Sequence, residues 1–276
     1  MPFARRIRLR SVAAACAATL VLTSALTACA TVPAAKPQPP SSQKPRIEAG
    51  TPSEAEAAWA RRGEPAQLAR AIELLTQSVE RNSADIAARL KLAQAHYLMA
   101  ESVAVLGWKD LGEPAVHYEA SVRVASSTAA IARESSAIYW EAASRYALAS
   151  QAGFSAVLAE QASVQRTMAR AAQLAPQADQ GGAYRMLASI AAHPAAPQLR
   201  DLKRAREYAQ RALAIDPDAI ANTVAFIEHY AIPAHDRPAI TDRLQKLNEQ
   251  PTKTPEDAIA RARAEQLAAR IEDELE

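Results

Sequence analysis

Apolar residues recur at intervals of three and four positions through most of the chain, and this spacing is typical of amphipathic α-helices. No segment shows the sustained alternation of apolar and polar positions that predicts a half-buried β-strand. Four apolar stripes carry the helical pattern, and each places one buried face along a helix. They are Leu68, Ile72, Leu75 and Val79; Phe154, Val157, Val164, Met168 and Ala171; Leu202, Ala205, Ala209 and Ala212; and Ile259, Leu267, Ile271 and Leu275.

Helix starts and breaks can also be predicted. Thr51-Pro52-Ser53-Glu54 and Thr254-Pro255-Glu256-Asp257 each place a capping hydroxyl before a proline, with an acid three residues after the cap. Proline suits the first helical position, and the acid can accept a hydrogen bond from the cap residue. Clusters of glycine and proline divide the rest into about nine to eleven helices. The breaks are Gly63–Pro65, Gly107–Pro114, Gly153, Gly181–Gly182, His193–Pro197, Pro217, Pro233 and Pro251.

Weak internal similarity indicates that these helices pair as hairpins. Arg70-Ala71-Ile72-Glu73 and Arg204-Ala205-Arg206-Glu207 open two helices of the same length, and Arg170 to Pro176 belongs to a third. Small residues at fixed positions allow close helix contact, and the pattern resembles tetratricopeptide (TPR) repeats without their regular period of about 34 residues. We therefore predict an all-α, degenerate TPR-like helix-hairpin solenoid over residues 51–276. An irregular helical bundle is the alternative.

The N-terminal residues 1–28 have the pattern of a secretory leader. Four arginines and no acids occupy the first ten residues, and an uncharged apolar stretch follows. That stretch is about 15 residues long, whereas a membrane span needs about 20. Leu26-Thr27-Ala28-Cys29 then resembles the bacterial lipobox. We expect cleavage before Cys29 and lipid attachment to its thiol; the alternative is an ordinary signal peptide beside a chance cysteine.

Lipidation of Cys29 would fix the chain to a membrane. Two or three acyl chains, palmitate among them, give stable attachment. Ala30 follows the cysteine, and the proteobacterial sorting rule that this resembles then favours the outer membrane, facing the periplasm. Residues 29–50 are rich in proline and serine, which is typical of an extended tether.

Composition excludes some partners. Removal of the four leader arginines changes the formal net charge from +2 to −2, and no basic run remains to bind nucleic acid. The cysteines are Cys16 in the leader and Cys29, so the mature domain has no pair for a disulfide.

Several features in the order they follow along the chain indicate a family. They are an aromatic-rich helix at Ile138–Ala143, a helix ending at Ala171–Pro176, a helix start at Gly181–Leu187, Leu202–Tyr208, and Tyr230–Pro233 before a closing amphipathic helix. In this order they resemble the T component of TRAP transporters over residues 138–247. The resemblance implies a periplasmic lipoprotein of divergent TPR-like hairpins that associates with a solute-binding protein, and a homo-oligomer is a further expectation.

No catalytic or metal-binding motif is present in the sequence. His229 and His235 lie six residues apart across Pro233, so they do not share a helical face as a zinc-binding pair four residues apart would. There is no nucleophile elbow, phosphate loop or metalloprotease motif. We expect no enzymatic activity, no cofactor and no metal ion.

Aromatic residues provide the candidate site. Trp108, Tyr139, Trp140 and Tyr146 lie in one central stretch. Adjacent helical residues point about 100° apart, so either Tyr139 or Trp140 is expected to line a groove, pore or interface. The alternative is that both pack between hairpins. Tyr184–Arg185, after the double glycine, is a second candidate, because a helix N-terminus there could meet an anionic group; packing is the alternative.

These observations lead to two functional hypotheses. The first is a transport accessory that binds a solute-binding protein and shelters a small apolar ligand in an inner cavity. The second is a TPR-type interaction scaffold in envelope assembly or secretion that binds no small ligand.

Overall fold

Strong helix formers dominate the body of the chain, and glycine occurs only seven times in the whole sequence. The computed structural model, which describes residues 53–132, 134–193 and 197–275, accordingly contains eleven α-helices and no β-strand in those ranges. The prediction of an all-α hairpin solenoid is confirmed. The helices are α1 Glu54–Ala60, α2 Pro65–Arg81, α3 Ile86–Leu106, α4 Pro114–Ala132, α5 Ser135–Ala152, α6 Phe154–Leu174, α7 Gly182–Ala192, α8 Leu202–Ile215, α9 Ile220–Phe226, α10 Arg237–Glu249 and α11 Pro255–Leu275.

The predicted leader, Cys29 and the tether lie outside the described residues. Within the described ranges, none of the helices combines the length and the apolar character that crossing a bilayer requires.

One of the two predicted helix caps is confirmed and the other is wrong. At α11, Thr254 Oγ1 accepts a hydrogen bond from the Asp257 amide at 3.1 Å, and the Asp257 carboxylate accepts one from the Thr254 amide at 3.0 Å. At α1 the cap is Ser53 rather than Thr51. Glu56 lies three residues after Ser53, and its carboxylate accepts a hydrogen bond from the Ser53 amide at 3.0 Å, so the reciprocal pair forms two residues later than predicted.

The break between α4 and α5 was not predicted from the sequence. Neither glycine nor proline lies between Ala132 and Ser135. Glu134 caps α5 instead, because its carboxylate accepts a hydrogen bond from the Ser136 amide at 3.4 Å.

The helices form two layers, and the inner layer closes into a ring. Inner helices α3, α5, α7, α9 and α11 each pack against the next in that order, and α11 packs back against α3. Outer helices α4, α6 and α8 each connect and contact two consecutive inner helices. The solenoid is therefore closed, and its inner helices surround a central space.

Small residues allow the close packing of these layers. Ala205, Ala209 and Ala212 are fully buried along one face of α8, as predicted. The stripe on α6 was predicted less well, because Phe154 is 45% exposed. Val164, Met168 and Ala171 are buried on one face of α6. At about 100° per residue, Phe154 points roughly 70° away from the mean direction of these three residues.

Contacts between distant parts of the chain hold the ring closed. Arg62, after α1, pairs with Glu256 at the start of α11, with Nη2 and Oε2 3.0 Å apart. Beside them, Gly63 lies so close to Pro255 that an added Cβ would be 3.2 Å from the proline Cγ. Farther along α11, Arg263 pairs with Glu101 of α3.

Candidate functional site

The inner ring of helices surrounds a cavity of about 990 Å³ that opens to solvent. This volume is at the upper end of the roughly 300–1,000 Å³ that is typical of small-molecule sites. Every inner helix contributes to the wall, with Tyr97 from α3, Tyr139 from α5, Arg185 from α7, Val224 from α9 and Arg263 from α11.

The cavity brings together four of the six aromatic and arginine residues that the sequence singled out. Tyr139, Trp140, Tyr146 and Arg185 all line its wall. Trp108 lies elsewhere, packed against the apolar cluster of α2 and α3. Tyr184 also lies elsewhere.

Tyr184 packs against outer helix α8 rather than facing the cavity. Its ring centroid is 6.5 Å from that of Tyr208, and the guanidinium of Arg211 lies 5.8 Å from its centroid. The two halves of the predicted Tyr184–Arg185 candidate thus face different surroundings.

Tyr139 and Trp140 both pack between helices and line the cavity, so the two predicted alternatives occur together. Their side chains are 3% and 8% exposed, and their ring centroids are 4.8 Å apart in an edge-to-face arrangement. Both belong to the central apolar core and both form part of the cavity wall. This is possible because α5 is an inner helix, with neighbours on more than one side.

Asp179 and Arg185 form a mostly buried ion pair on one side of the cavity, with side chains that are 18% and 16% exposed. Asp179 Oδ2 lies 2.5 Å from Arg185 Nη2 and accepts a hydrogen bond from the Tyr139 hydroxyl at 2.6 Å. Burial raises the pKa of Asp179, and the Arg185 charge opposes that rise. Asp179 has φ +49°, a left-handed conformation that aspartate tolerates better than most residues.

Asn222 of α9 supports this ion pair from behind. Its side chain is fully buried, and its Oδ1 accepts a hydrogen bond from Arg185 Nη1 at 2.8 Å. The amide nitrogen Nδ2 donates to the backbone carbonyls of Asp216, Ala212 and Gln180 at 2.8, 2.9 and 3.0 Å. One amide therefore connects α7, the end of α8 and α9.

Glu101 and Arg263 form a second ion pair, which lies between α3 and α11. The Glu101 side chain is 8% exposed, and one of its oxygens accepts a hydrogen bond from Tyr118 while the other accepts one from Arg263 Nη2. The Glu101 carboxylate raises the pKa of Arg263, which stays charged. The Arg263 side chain is 45% exposed.

Tyr97 lies between the two ion pairs. Its ring centroid is 5.3 Å from Trp140 and 5.7 Å from Tyr118. Burial raises the pKa of the Tyr97 hydroxyl, and the Glu101 carboxylate raises it further, so the phenol is neutral.

A π-helical turn adds two further polar groups to the wall. It spans Ile227–Ala231 and continues α9, with the Ile232 amide donating to the Ile227 carbonyl at 3.0 Å. Glu228 and His229 both line the cavity from this turn. Burial lowers the pKa of His229. Single π turns inside helices are frequent at functional sites.

Sequence comparison adds no family: no protein-family model matches this chain, and no curated protein is significantly similar to it. Among the described residues no group of three or more histidine, cysteine, aspartate or glutamate side chains is placed to hold a metal ion. The wall instead combines aromatic rings, apolar side chains and two ion pairs. Such a wall is suited to bind a ligand that has both apolar and polar parts.

Proposed function

We propose that this protein is an envelope lipoprotein that shelters a small ligand in its central cavity and associates with a solute-binding protein, as the resemblance to TRAP transporter T components implies. The observation that carries the proposal is the closed ring of inner helices around a cavity of about 990 Å³. An interaction scaffold needs only an outer surface, whereas a space of this size inside the ring is suited to a ligand.

The cavity wall favours binding over catalysis. The carboxylates of Asp179 and Glu101 are each paired with an arginine, and each accepts a hydrogen bond from a tyrosine. Paired and hydrogen-bonded charges are held in place, and they orient a ligand without transferring a proton to it. The presence of two ion pairs also favours a ligand with a polar group rather than a wholly apolar one.

In this proposal the lipid on Cys29 anchors the protein to the outer membrane, with the body in the periplasm. As a flexible chain the tether would span about 25 Å. That length would allow the cavity to meet a soluble partner away from the lipid surface.

The interaction scaffold is the second candidate, and one feature of α6 favours it. Phe154 and Leu158, one helical turn apart on this outer helix, are 45% and 42% exposed. Neighbouring exposed apolar side chains are typical of protein-binding surfaces. The same surface could also receive a solute-binding protein.

Native mass spectrometry of the processed lipoprotein, purified from envelopes in a mild detergent, tests the proposal. We expect an excess mass that denaturation releases as a small molecule. Ala147→Trp would fill the cavity from α5 and should remove the excess mass, whereas Ala159→Trp, on the exposed face of α6, should retain it. A ligand-free wild-type protein that binds no co-encoded solute-binding protein would exclude this function in favour of the scaffold.

Fractionation tests the anchor separately. Cys29→Ser should move the protein from the membrane to the soluble periplasmic fraction. Cys16→Ser, which changes the other cysteine, should leave it in the membrane. Recovery of the unaltered protein in the soluble fraction would exclude lipidation at Cys29.

A further inference from the structure

Arg263 presents unused hydrogen-bond donors to the cavity. A guanidinium carries five N–H donors, and in the described part of the chain Arg263 makes one side-chain hydrogen bond, from Nη2 to Glu101. Its side chain lines the cavity and is 45% exposed. Arg185 differs, because its side chain is 16% exposed and both of its Nη atoms donate to protein groups.

Apolar side chains flank Arg263 along α11. Ile259 and Leu267 lie one turn before and one turn after it on the same face, line the same cavity, and are 6% and 4% exposed. Leu98 of α3 and Val224 of α9 add apolar surface to the wall. A cationic group is thus placed within an apolar stripe.

Glu101 takes up only part of the hydrogen-bonding capacity of Arg263. Both carboxylate oxygens of Glu101 are already hydrogen-bonded, and its side chain is nearly buried. The guanidinium edge away from Glu101 remains able to bind a second oxyanion, and planar bidentate pairing is the arrangement that arginine favours.

We propose that the cavity binds an amphipathic anion whose oxyanion pairs with Arg263 and whose apolar body lies against Ile259 and Leu267. This inference rests on the ligand-sheltering function proposed above and adds the chemical class of the ligand. Carboxylate and phosphate head groups share the required chemistry. A cationic ligand would instead pair with the carboxylate of Glu228, which also lines the cavity.

Twelve-carbon probes below their critical micelle concentrations separate these classes. Dodecanoate and monododecyl phosphate should each bind with 1:1 stoichiometry in native mass spectrometry and titration calorimetry of the full-chain Cys29→Ser protein, which carries no lipid. Both should bind about tenfold more tightly than dodecanol, because a charged hydrogen-bonded pair contributes about that factor. Dodecyltrimethylammonium should bind no better than dodecanol. The ratio of dodecanoate to dodecyl phosphate affinity distinguishes a fatty-acid ligand from a phosphate-bearing one.

Substitutions at the ion pair give effects of opposite sign. Arg263→Gln should weaken dodecanoate binding about tenfold and leave dodecanol binding unchanged. Glu101→Gln should tighten dodecanoate binding, because it removes the carboxylate that competes for the guanidinium. Arg123→Gln, which changes an exposed arginine on α4 outside the cavity, should change the affinity for neither dodecanoate nor dodecanol.

Stability is monitored by circular dichroism. If Arg263→Gln does not fold, Arg263→Lys, which keeps the charge, should retain the preference for dodecanoate over dodecanol, and Glu101→Gln still carries the test. Equal binding of the trimethylammonium probe, or an unchanged preference in Arg263→Gln, would overturn the anionic ligand class and leave the sheltering function standing. If the wild-type protein bound neither an endogenous ligand nor any of the probes, both the anionic ligand class and the sheltering function would be overturned.

Discussion

The Tyr139 hydroxyl lies over the Cα of Gly182 and occupies the space that a side chain there would need. An ideal Cβ on Gly182 would be 2.6 Å from Tyr139 Cζ and 2.7 Å from Asp179 Oδ2, closer than real Cβ atoms approach. The absence of a side chain at the start of α7 thus permits the hydrogen bond between Tyr139 and Asp179 on the cavity wall.

Gly182→Ala should therefore destabilise the protein by about 1–3 kcal/mol, the usual effect of forcing extra volume into a packed site. Within a helix, glycine to alanine normally stabilises by up to about 1 kcal/mol, so the expected sign is reversed. Urea unfolding measures the difference. Gly63→Ala, whose Cβ would meet only the ring of Pro255 at 3.2 Å, serves as the milder comparison. A more stable Gly182→Ala variant would contradict the observed packing.

Asn222 allows a test of hydrogen-bond direction. Asn222→Ala should cost about 2 kcal/mol through buried groups that lose their partners. Asn222→Asp should cost more, although it places a negative charge beside Arg185, because a carboxylate oxygen would then face three backbone carbonyl oxygens. Exposed Asn248 on α10 provides the matched control, and Asn248→Asp should change the free energy of unfolding by less than about 0.5 kcal/mol. Equal stability of the two Asn222 variants would exclude this role of the amide.

The ion pair between Arg62 and Glu256 should stabilise closure of the ring. Glu256→Arg should lower the free energy of unfolding by about 1–3 kcal/mol, because the side chains of this pair are only 19% and 27% exposed. Adding Arg62→Glu should restore much of the loss by re-forming the pair with its charges exchanged. The Arg61–Glu64 pair is 60% and 56% exposed, so Arg61→Glu should change the free energy of unfolding much less than Glu256→Arg does. If the double variant were no more stable than Glu256→Arg alone, the ion pair would not stabilise closure of the ring.

His96 should make stability depend on pH. Its Nδ1 lies 3.3 Å from Nδ1 of His117, whose Nε2 donates to the Leu111 carbonyl at 2.9 Å. Burial and, to a lesser extent, electrostatic repulsion from His117 and Arg123 lower the pKa of His96 to about 4.

Because the folded pKa of His96 lies below the unfolded value of 6.5, the unfolded chain binds the proton first as the pH falls. The stability that neutral His96 contributes is complete above pH 6.5 and is lost as the pH falls towards 4, by on the order of 3 kcal/mol. Unfolding free energies measured between pH 7.5 and 4 should fall less steeply in His96→Gln than in the wild type. His235→Asn, at an exposed loop position, should keep the wild-type slope.

Local features of the fold could be predicted because their causes lie within a few residues. The capping pair of Thr254 and Asp257 is three residues apart, and the alanine face of α8 repeats along a single helix. Phe154 was placed wrongly because a spacing rule tolerates an apolar residue at the margin of a stripe. Whether a residue at the margin of a stripe is buried depends on how the neighbouring helices pack, which the spacing along one helix does not show.

The candidate site was predicted only in part, and for a related reason. Local sequence features predicted four of its residues: Tyr139, Trp140 and Tyr146 belong to a cluster of aromatic residues, and Arg185 follows the double glycine. Glu101 and Arg263 are separated by 162 residues, and no sequence pattern distinguishes their pairing from the many other combinations of acid and arginine. Their meeting depends on the closure of the ring, which is a property of all the helix crossings together.

Closure of the inner ring also constrains how such a protein can diverge. An open superhelix can gain or lose a terminal hairpin while its remaining hairpins keep their contacts. In this protein α11 packs against both α9 and α3, so an added or deleted hairpin would change the circumference and separate the first and last turns of the ring. New specificities would therefore arise by exchange of inward-facing side chains, at constant hairpin number.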